Sequence, residues 1–153
     1  MGSIIFLTEN SRGSNFLPKI IKDLWIVADS GLVVFHHVYH QTIDVNLFGA
    51  LMSALNSYSK FLVDGGLTSF ELEHKRFTLI KREGFIFIAN SSRKVKEKHV
   101  IKELNEVAET FFTMYPPEFL KEWNGDMSVF ANFEVEIIDS LRDTIKKLQE
   151  AFW

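Results

Sequence analysis

The sequence predicts an α+β sandwich of three layers, in which a five-stranded antiparallel sheet ordered 2-1-5-4-3 carries one helix on one face and two on the other. Three observations lead there. The stretches Leu24-Trp25-Ile26-Val27-Ala28 and Phe85-Ile86-Phe87-Ile88 are apolar at every position, as strands covered on both faces are. The remaining strand-like runs are joined to these by connections too short for a crossover, so the pairing must be antiparallel. Three longer stretches repeat apolar residues at three- and four-residue steps, the period of an amphipathic helix. Placing the two all-apolar strands side by side at the centre leaves the second and third strands as edges.

In chain order, residues 1–21 form a Ser/Asn/Gly-rich lead-in that includes Pro18, expected to be flexible, and residues 22–153 form a single domain. Asp29-Ser30-Gly31 supplies turn residues between the first strand and Leu32-Val33-Val34-Phe35, so the two read as a hairpin. From Asp44 the period changes. Phe48, Leu51, Met52, Leu55, Tyr58 and Leu62 mark a first helix, with Asp44 as its N-terminal cap and Gly65-Gly66 at its exit. Thr68–His74, Phe77–Lys81 and Phe85–Ala89 follow as a meander, with turns expected at Lys75-Arg76 and Arg82-Glu83-Gly84. Ser69-Phe70-Glu71-Leu72-Glu73 alternates, with one apolar face, as an edge strand does. Val100, Ile101, Leu104, Val107, Ala108, Phe111 and Phe112 mark a second helix that Pro116-Pro117 stops. A linker through Trp123-Asn124-Gly125 leads to a third helix from Phe130 to Phe152, with Asp126 or Ser128 as its cap. The element order is therefore ββαβββαα.

Composition narrows the function classes. The 153 residues are 46% hydrophobic and 24% charged, a globular balance, and the formal charge of −3 is too mild for a dedicated nucleic-acid binder. Cysteine is absent, which removes disulfides, thiolate zinc sites and cysteine nucleophiles and makes a cytoplasmic setting the default. Ile4–Leu7 is too short for a secretory h-region, and Glu9 and Arg12 follow at once. Phe6 stands where a myristoylation signal has Ser or Thr, and no apolar run is long enough to span a bilayer.

This succession of elements resembles the longin domain, the profilin-like module of trafficking SNAREs, clathrin-adaptor small subunits, transport-particle tethering proteins and the N-terminus of the signal-recognition-particle receptor α subunit. The resemblance covers about residues 22–150. It rests on element order, on the Asp29-Ser30-Gly31 turn, on the Asp44–Leu62 helix with its Gly65-Gly66 exit, and on the meander ending in Phe85-Ile86-Phe87-Ile88. The roadblock fold is the sister alternative, with an extra helix ahead of the first strand that residues 1–20 show no period for. The resemblance implies a non-catalytic module without cofactor. It would dimerise, pair with another longin or roadblock domain, or bind a small GTPase in membrane-trafficking assemblies at the cytosolic face of a membrane. By the same resemblance the partner surface maps to the first helix, through Leu55 and Tyr58, and to the third-strand edge, through Ser69, Glu71 and Glu73.

The residues themselves offer little else. His36, His37 and His40 suggest a metal site, but along a strand His36 and His40 stand about 13 Å apart and His37 faces the other way, so no metal is expected. No GxSxG elbow, GxGxxG or GxxxxGK[ST] loop occurs, so neither nucleophilic catalysis nor nucleotide binding is expected. Basic residues dominate from Lys75 to Lys102, and acidic ones from Glu118 onward. Lys75, Arg76, Arg93, Lys94, Lys96 and Lys98 are thus candidates for an acidic protein partner or, at most peripherally, lipid headgroups. Few aromatics interleave with them, so nucleic acid is not expected. Most of the 21 aromatic residues read as core, with Phe119, Trp123, Phe152 and Trp153 as exceptions, together with the neighbouring apolar Leu120. The competing function is a small-molecule sensor of the PAS or profilin-like kind, which a polar-lined cavity between sheet and helix would mark.

Overall fold

The computed structural model describes residues 20–37, 44–62, 64, 66–72 and 75–141. Strands β1 (Asp23–Ala28) and β2 (Val33–His37) form the first hairpin, and helix α1 (Val45–Leu62) follows. Strands β3 (Ser69–Leu72), β4 (Lys75–Arg82) and β5 (Phe85–Ser92) make the meander. Helices α2 (Glu97–Met114), α3 (Pro117–Lys121) and α4 (Phe133–Leu141) complete the chain, with a 3-10 turn over Met127–Phe130. The sheet order is β2-β1-β5-β4-β3 and every pairing is antiparallel, the expected longin-like arrangement.

Register explains the all-apolar strands. Leu24 lies opposite His37 of β2 and Ala89 of β5, so β1 is paired on both sides, and β5 is likewise enclosed by β1 and β4. Alternate residues feed two cores. Trp25, Val27, Phe77, Leu79, Ile86 and Ile88 face α1, where Phe48 stacks on Trp25 at 4.4 Å. Leu24, Ile26, Phe85, Phe87 and Ala89 face α2 and α4, whose Leu104, Phe111, Phe133 and Ile137 fill the thicker layer. The one-and-two distribution of helices follows from the sequence as expected.

The helix ends use the signalled residues. Leu47 N–H donates to Asp44 Oδ1 at 3.0 Å, and Gly66 takes φ +66° after α1. Tyr115 ends α2 with its N–H on Phe111 O, directly before Pro116. Ser128 donates both its N–H (2.9 Å) and its hydroxyl (2.7 Å) to Asp126 Oδ1, and these two bonds hold the Asp126 carboxyl below the usual carboxylate range.

Three boundaries differ from expectation. Lys75 and Arg76 belong to β4 rather than a turn, because stacking of Phe70 on Phe77 fixes a register that pairs Leu72 with Lys75. The Pro116-Pro117 stop is also a start: Pro117 is the first residue of α3, where a preset φ and a missing N–H cost nothing, so Phe119 and Leu120 are helical and not linker. The third long helix begins at Phe133, since the Asp126 cap winds Met127–Phe130 into a tighter turn first. Its expected continuation to Phe152 lies outside the described residues, as do the lead-in to residue 19, Val63, Gly65, Glu73 and His74.

Gly49 brings α1 close to the β1–β2 turn. A Cβ there would press on Val33 Cγ2 and lie 2.7 Å from Gly31 O, which is backbone and cannot swing aside. Helix propensity alone would favour Gly49→Ala by about 1 kcal/mol. The clash reverses the sign, and net destabilisation of about 1–3 kcal/mol is expected as a lower urea midpoint.

Candidate protein-interaction surface

Helix α1 is apolar over more of its circumference than the sheet covers. Phe48 and Met52 are buried, but Leu47 (67% exposed), Leu51, Leu55, Tyr58 (65%) and Leu62 are not. At about 100° per residue, these five fall within roughly 80° of one another, and Phe48 and Met52 continue the same arc. The single apolar face expected from the period is thus two adjoining faces. One docks on the sheet, and the other runs along about 22 Å of helix facing solvent. Phe61, 87% exposed, flanks the stripe. A contiguous exposed apolar strip of this length makes this face of α1 a candidate interaction surface.

The edge strand β3 follows α1 directly, and Leu67 and Phe70 pack into the same layer as Phe48 and Met52. Among the described residues β3 pairs only with β4, so its outer side is open to a further strand. Ser69 lies opposite Thr78 and is half-buried. Glu71 is drawn into an ion-pair pair: its Oε2 is 3.5 Å from Arg76 Nε and its Oε1 3.2 Å from Arg93 Nε. Glu73 lies outside the described residues.

One of the candidate cations has a structural role. Arg76 Nη1 donates to Val95 O at 2.7 Å and Nη2 to Arg93 O at 3.2 Å, so this largely buried guanidinium pins the β5–α2 turn against the sheet. Lys75, Lys94, Lys96 and Lys98 are exposed, and the pairing of Lys75 with Ser92 puts all four at one end of the sheet. Lys96 precedes α2 without a side-chain cap bond. Arg76→Ala should cost about 1–3 kcal/mol, because two charge-assisted bonds to backbone carbonyls go, the one to Val95 partly buried. Glu71→Ala, which removes ion pairs made by a carboxylate that is itself exposed, should cost under about 1 kcal/mol. Chemical denaturation of both variants checks the order, and equal losses would contradict the pinning role.

His36 and His37, the described members of the histidine run, do not converge. His36 and His37 point to opposite faces of β2, with His37 Nδ1 3.8 Å from Glu134 and His36 Nδ1 buried without a hydrogen-bond partner among the described residues. His40 lies outside the described residues, and among those described no group of three His, Cys, Asp or Glu could hold a metal. Burial and then nearby Lys60 lower the Lys81 pKa, and burial raises that of the Tyr115 phenol. A cleft of about 520 Å³ opens beside β2, lined by Val34, His36, Asn46, Met127, Phe130 and Glu134 among others. No helix among the described residues is long and apolar enough to cross a membrane.

No protein-family model matches the chain, and no curated protein matches it in sequence. Solved structures similar to it include MglB of Myxococcus xanthus, 14% identical over 70% of this chain and 89% of that one, with a TM-score of 0.48. The mammalian SRP receptor is 14% identical over 86% of this chain and 98% of that one, with a TM-score of 0.49. A roadblock/LC7 domain from Streptomyces avermitilis is 16% identical over 56% and 76%, with a TM-score of 0.44. Likenesses of this degree say nothing of partners. The helix ahead of β1 that separates roadblock from longin domains would fall on residues outside those described.

Proposed function

We propose that this domain is a non-catalytic interaction module that pairs through α1 and the β3 edge with a second domain of the same fold, its own copy or a longin or roadblock relative. The pair then offers a composite surface to a small GTPase in a trafficking-type assembly on the cytosolic side of a membrane. The observation that carries the pairing is the solvent-facing stripe of Leu47, Leu51, Leu55, Tyr58 and Leu62. Burying such side chains is worth about 25 cal/mol per Å² of apolar area, and the unpaired β3 backbone beside them gives the contact a fixed register. The GTPase part of the reading follows the resemblance of element order to longin domains, and the exposed Lys75, Lys94, Lys96 and Lys98 suit an acidic partner surface.

Light scattering on the chain over a concentration series, alone and with small GTPases in both nucleotide states, tests both parts. A concentration-dependent dimer supports the pairing, and a nucleotide-dependent shift in mass supports the GTPase contact. A monomer at every concentration that ignores every GTPase overturns the reading.

A further inference from the structure

Lysine gathers at one end of the sheet. Lys22 directly precedes β1, and its N–H donates to Asn90 O at 2.8 Å, two residues before β5 ends at Ser92. Lys75, the first residue of β4, lies opposite Ser92, and Lys94, Lys96 and Lys98 follow in the β5–α2 turn and the first turn of α2. With about 5.5 Å between paired Cα atoms and at most about 3.6 Å per residue, Lys75 and Lys94 lie within about 13 Å of each other, close to the Debye length at 0.1 M salt. All five lysines are exposed, and among the described residues none of them is in an ion pair. Carboxylates of the same segments do little to neutralise them. Asp23 accepts from Asn90 Nδ2 at 2.8 Å, Glu71 is held by Arg76 and Arg93, and Glu97 is the acidic residue in the first turn of α2.

The turn that carries these charges is tied down. Arg76 holds Val95 O and Arg93 O, and Lys94 N–H donates to Ser92 Oγ at 3.1 Å. Val95 is 1% exposed in the α2 layer, so Lys94 and Lys96 on either side of it are turned out to solvent. Lys96 and Lys98 also sit beside the positive end of the α2 dipole, a repulsion that anions outside the protein would offset. Charge alone suits an acidic protein as well as an anionic bilayer, and composition favours the bilayer. The cores of protein interfaces are enriched in aromatic residues and arginine and depleted of lysine. Here Arg76 and Arg93 are engaged within the chain, the apolar residue of the turn is buried, and ammonium groups on flexible stems are what remains outside. Such groups match a layer of phosphates that has no fixed geometry.

We propose that this lysine end of the sheet docks the domain on an anionic lipid leaflet, with Lys22, Lys75, Lys94, Lys96 and Lys98 among the headgroups. The contact uses the end of the sheet and not a face, so it leaves the α1 stripe open and does not depend on pairing through it.

Co-sedimentation of the full chain with vesicles in 0.1 M salt tests it. Vesicles of phosphatidylcholine with about 30% phosphatidylserine should bind the chain, and vesicles of phosphatidylcholine alone should not. Each lysine near an anionic leaflet strengthens binding about fivefold, so Lys96→Gln should weaken it about fivefold and Lys94→Gln with Lys96→Gln at least about tenfold. Lys121→Gln, an equal change of charge on the exposed helix α3, should weaken it less than about twofold. These substitutions are at exposed positions and should leave the thermal midpoint within about 2 °C. No binding to either vesicle, equal binding to both, or equal losses for Lys96→Gln and Lys121→Gln overturns the proposal. So does release by about 10 mM inorganic phosphate beyond that by chloride of the same ionic strength, which would mean a discrete anion site. If the chain ignores anionic vesicles and the double variant instead loses a mass shift with a small GTPase, the lysines serve an acidic protein and the membrane contact is wrong. A chain that stays monomeric in light scattering should still bind anionic vesicles, so failure of the α1 pairing and failure of the lipid contact are read separately.

Discussion

A chain carrying Leu55→Glu and Tyr58→Glu should keep its fold and lose the self-association proposed for α1. Both side chains lie in the middle of the solvent-facing stripe of α1, Leu55 39% and Tyr58 65% exposed, with a further turn of apolar residues on either side. In the pair they would be enclosed by the same stripe of the second domain, and two carboxylates there would have to be dehydrated without partners. Truncating central interface residues costs about 2 kcal/mol or more each, and placing charge there costs at least as much, so the dissociation constant should rise about 100-fold or more. Within the single domain little opposes the change. Glu is as good a helix former as Leu and better than Tyr, and neither native side chain packs in the sheet-facing core, so the thermal midpoint should stay within about 2 °C. Sedimentation equilibrium and calorimetry on the same sample separate the two effects. Unchanged association with an unchanged midpoint would remove α1 from the interface. Met52→Glu is the contrast, since Met52 is 1% exposed against the sheet and its substitution should unfold the domain.

The same helix shows where sequence reading stops. Hydrophobic period places Phe48, Leu51, Met52, Leu55, Tyr58 and Leu62 on one side of α1, but period alone does not say which part of a wide apolar arc meets its own sheet and which is left for another molecule. The width was the available signal: with Leu47 included, the arc exceeds the stripe of roughly 100° that one sheet contact needs. The sheet, by contrast, was legible down to strand order. Leu24–Ala28 and Phe85–Ile88 have no polar face, so only central positions suit them, and the short connections leave little choice for the rest. Arg76 was misplaced for a different reason. A basic pair between two strands resembles a turn, while its partners, the carbonyls of Arg93 and Val95, lie 17 and 19 residues away and leave no local trace. The cleft beside β2 is likewise assembled from β2, α1, the 3-10 turn and α4, four segments whose meeting is a property of the fold alone.

Phe111→Ala should be the most damaging single substitution in the α2 layer. The side chain is fully buried, and its ring lies 5.2–5.7 Å from those of Phe85, Phe87, Phe112, Tyr115, Phe130 and Phe133. These six come from β5, from α2 itself, from the residue ending α2, from the 3-10 turn and from α4, so one ring joins the sheet to α2, the 3-10 turn and α4. Removing it forfeits the transfer energy of the ring and leaves a cavity whose walls belong to different elements and cannot collapse together, a cost of about 3–5 kcal/mol. For a domain of this size that is a fall of about 6–20 °C in thermal midpoint, a large share of the 5–15 kcal/mol typical of native stability. The loss should be uneven. Among the described residues α4 enters this layer through Phe133 and Ile137, so its amides should exchange well before those of β1 and β5, which are paired on both sides. Phe111→Leu keeps most of the volume and should cost less than half as much, while Phe61→Ala, at a ring exposed to solvent, should fall within about 0.5 kcal/mol of the unsubstituted chain. Urea denaturation orders the three. If Phe111→Ala cost no more than Phe61→Ala, α4 and the 3-10 turn would not be packed on the sheet through this ring, and the cleft they form beside β2 would lose its outer wall.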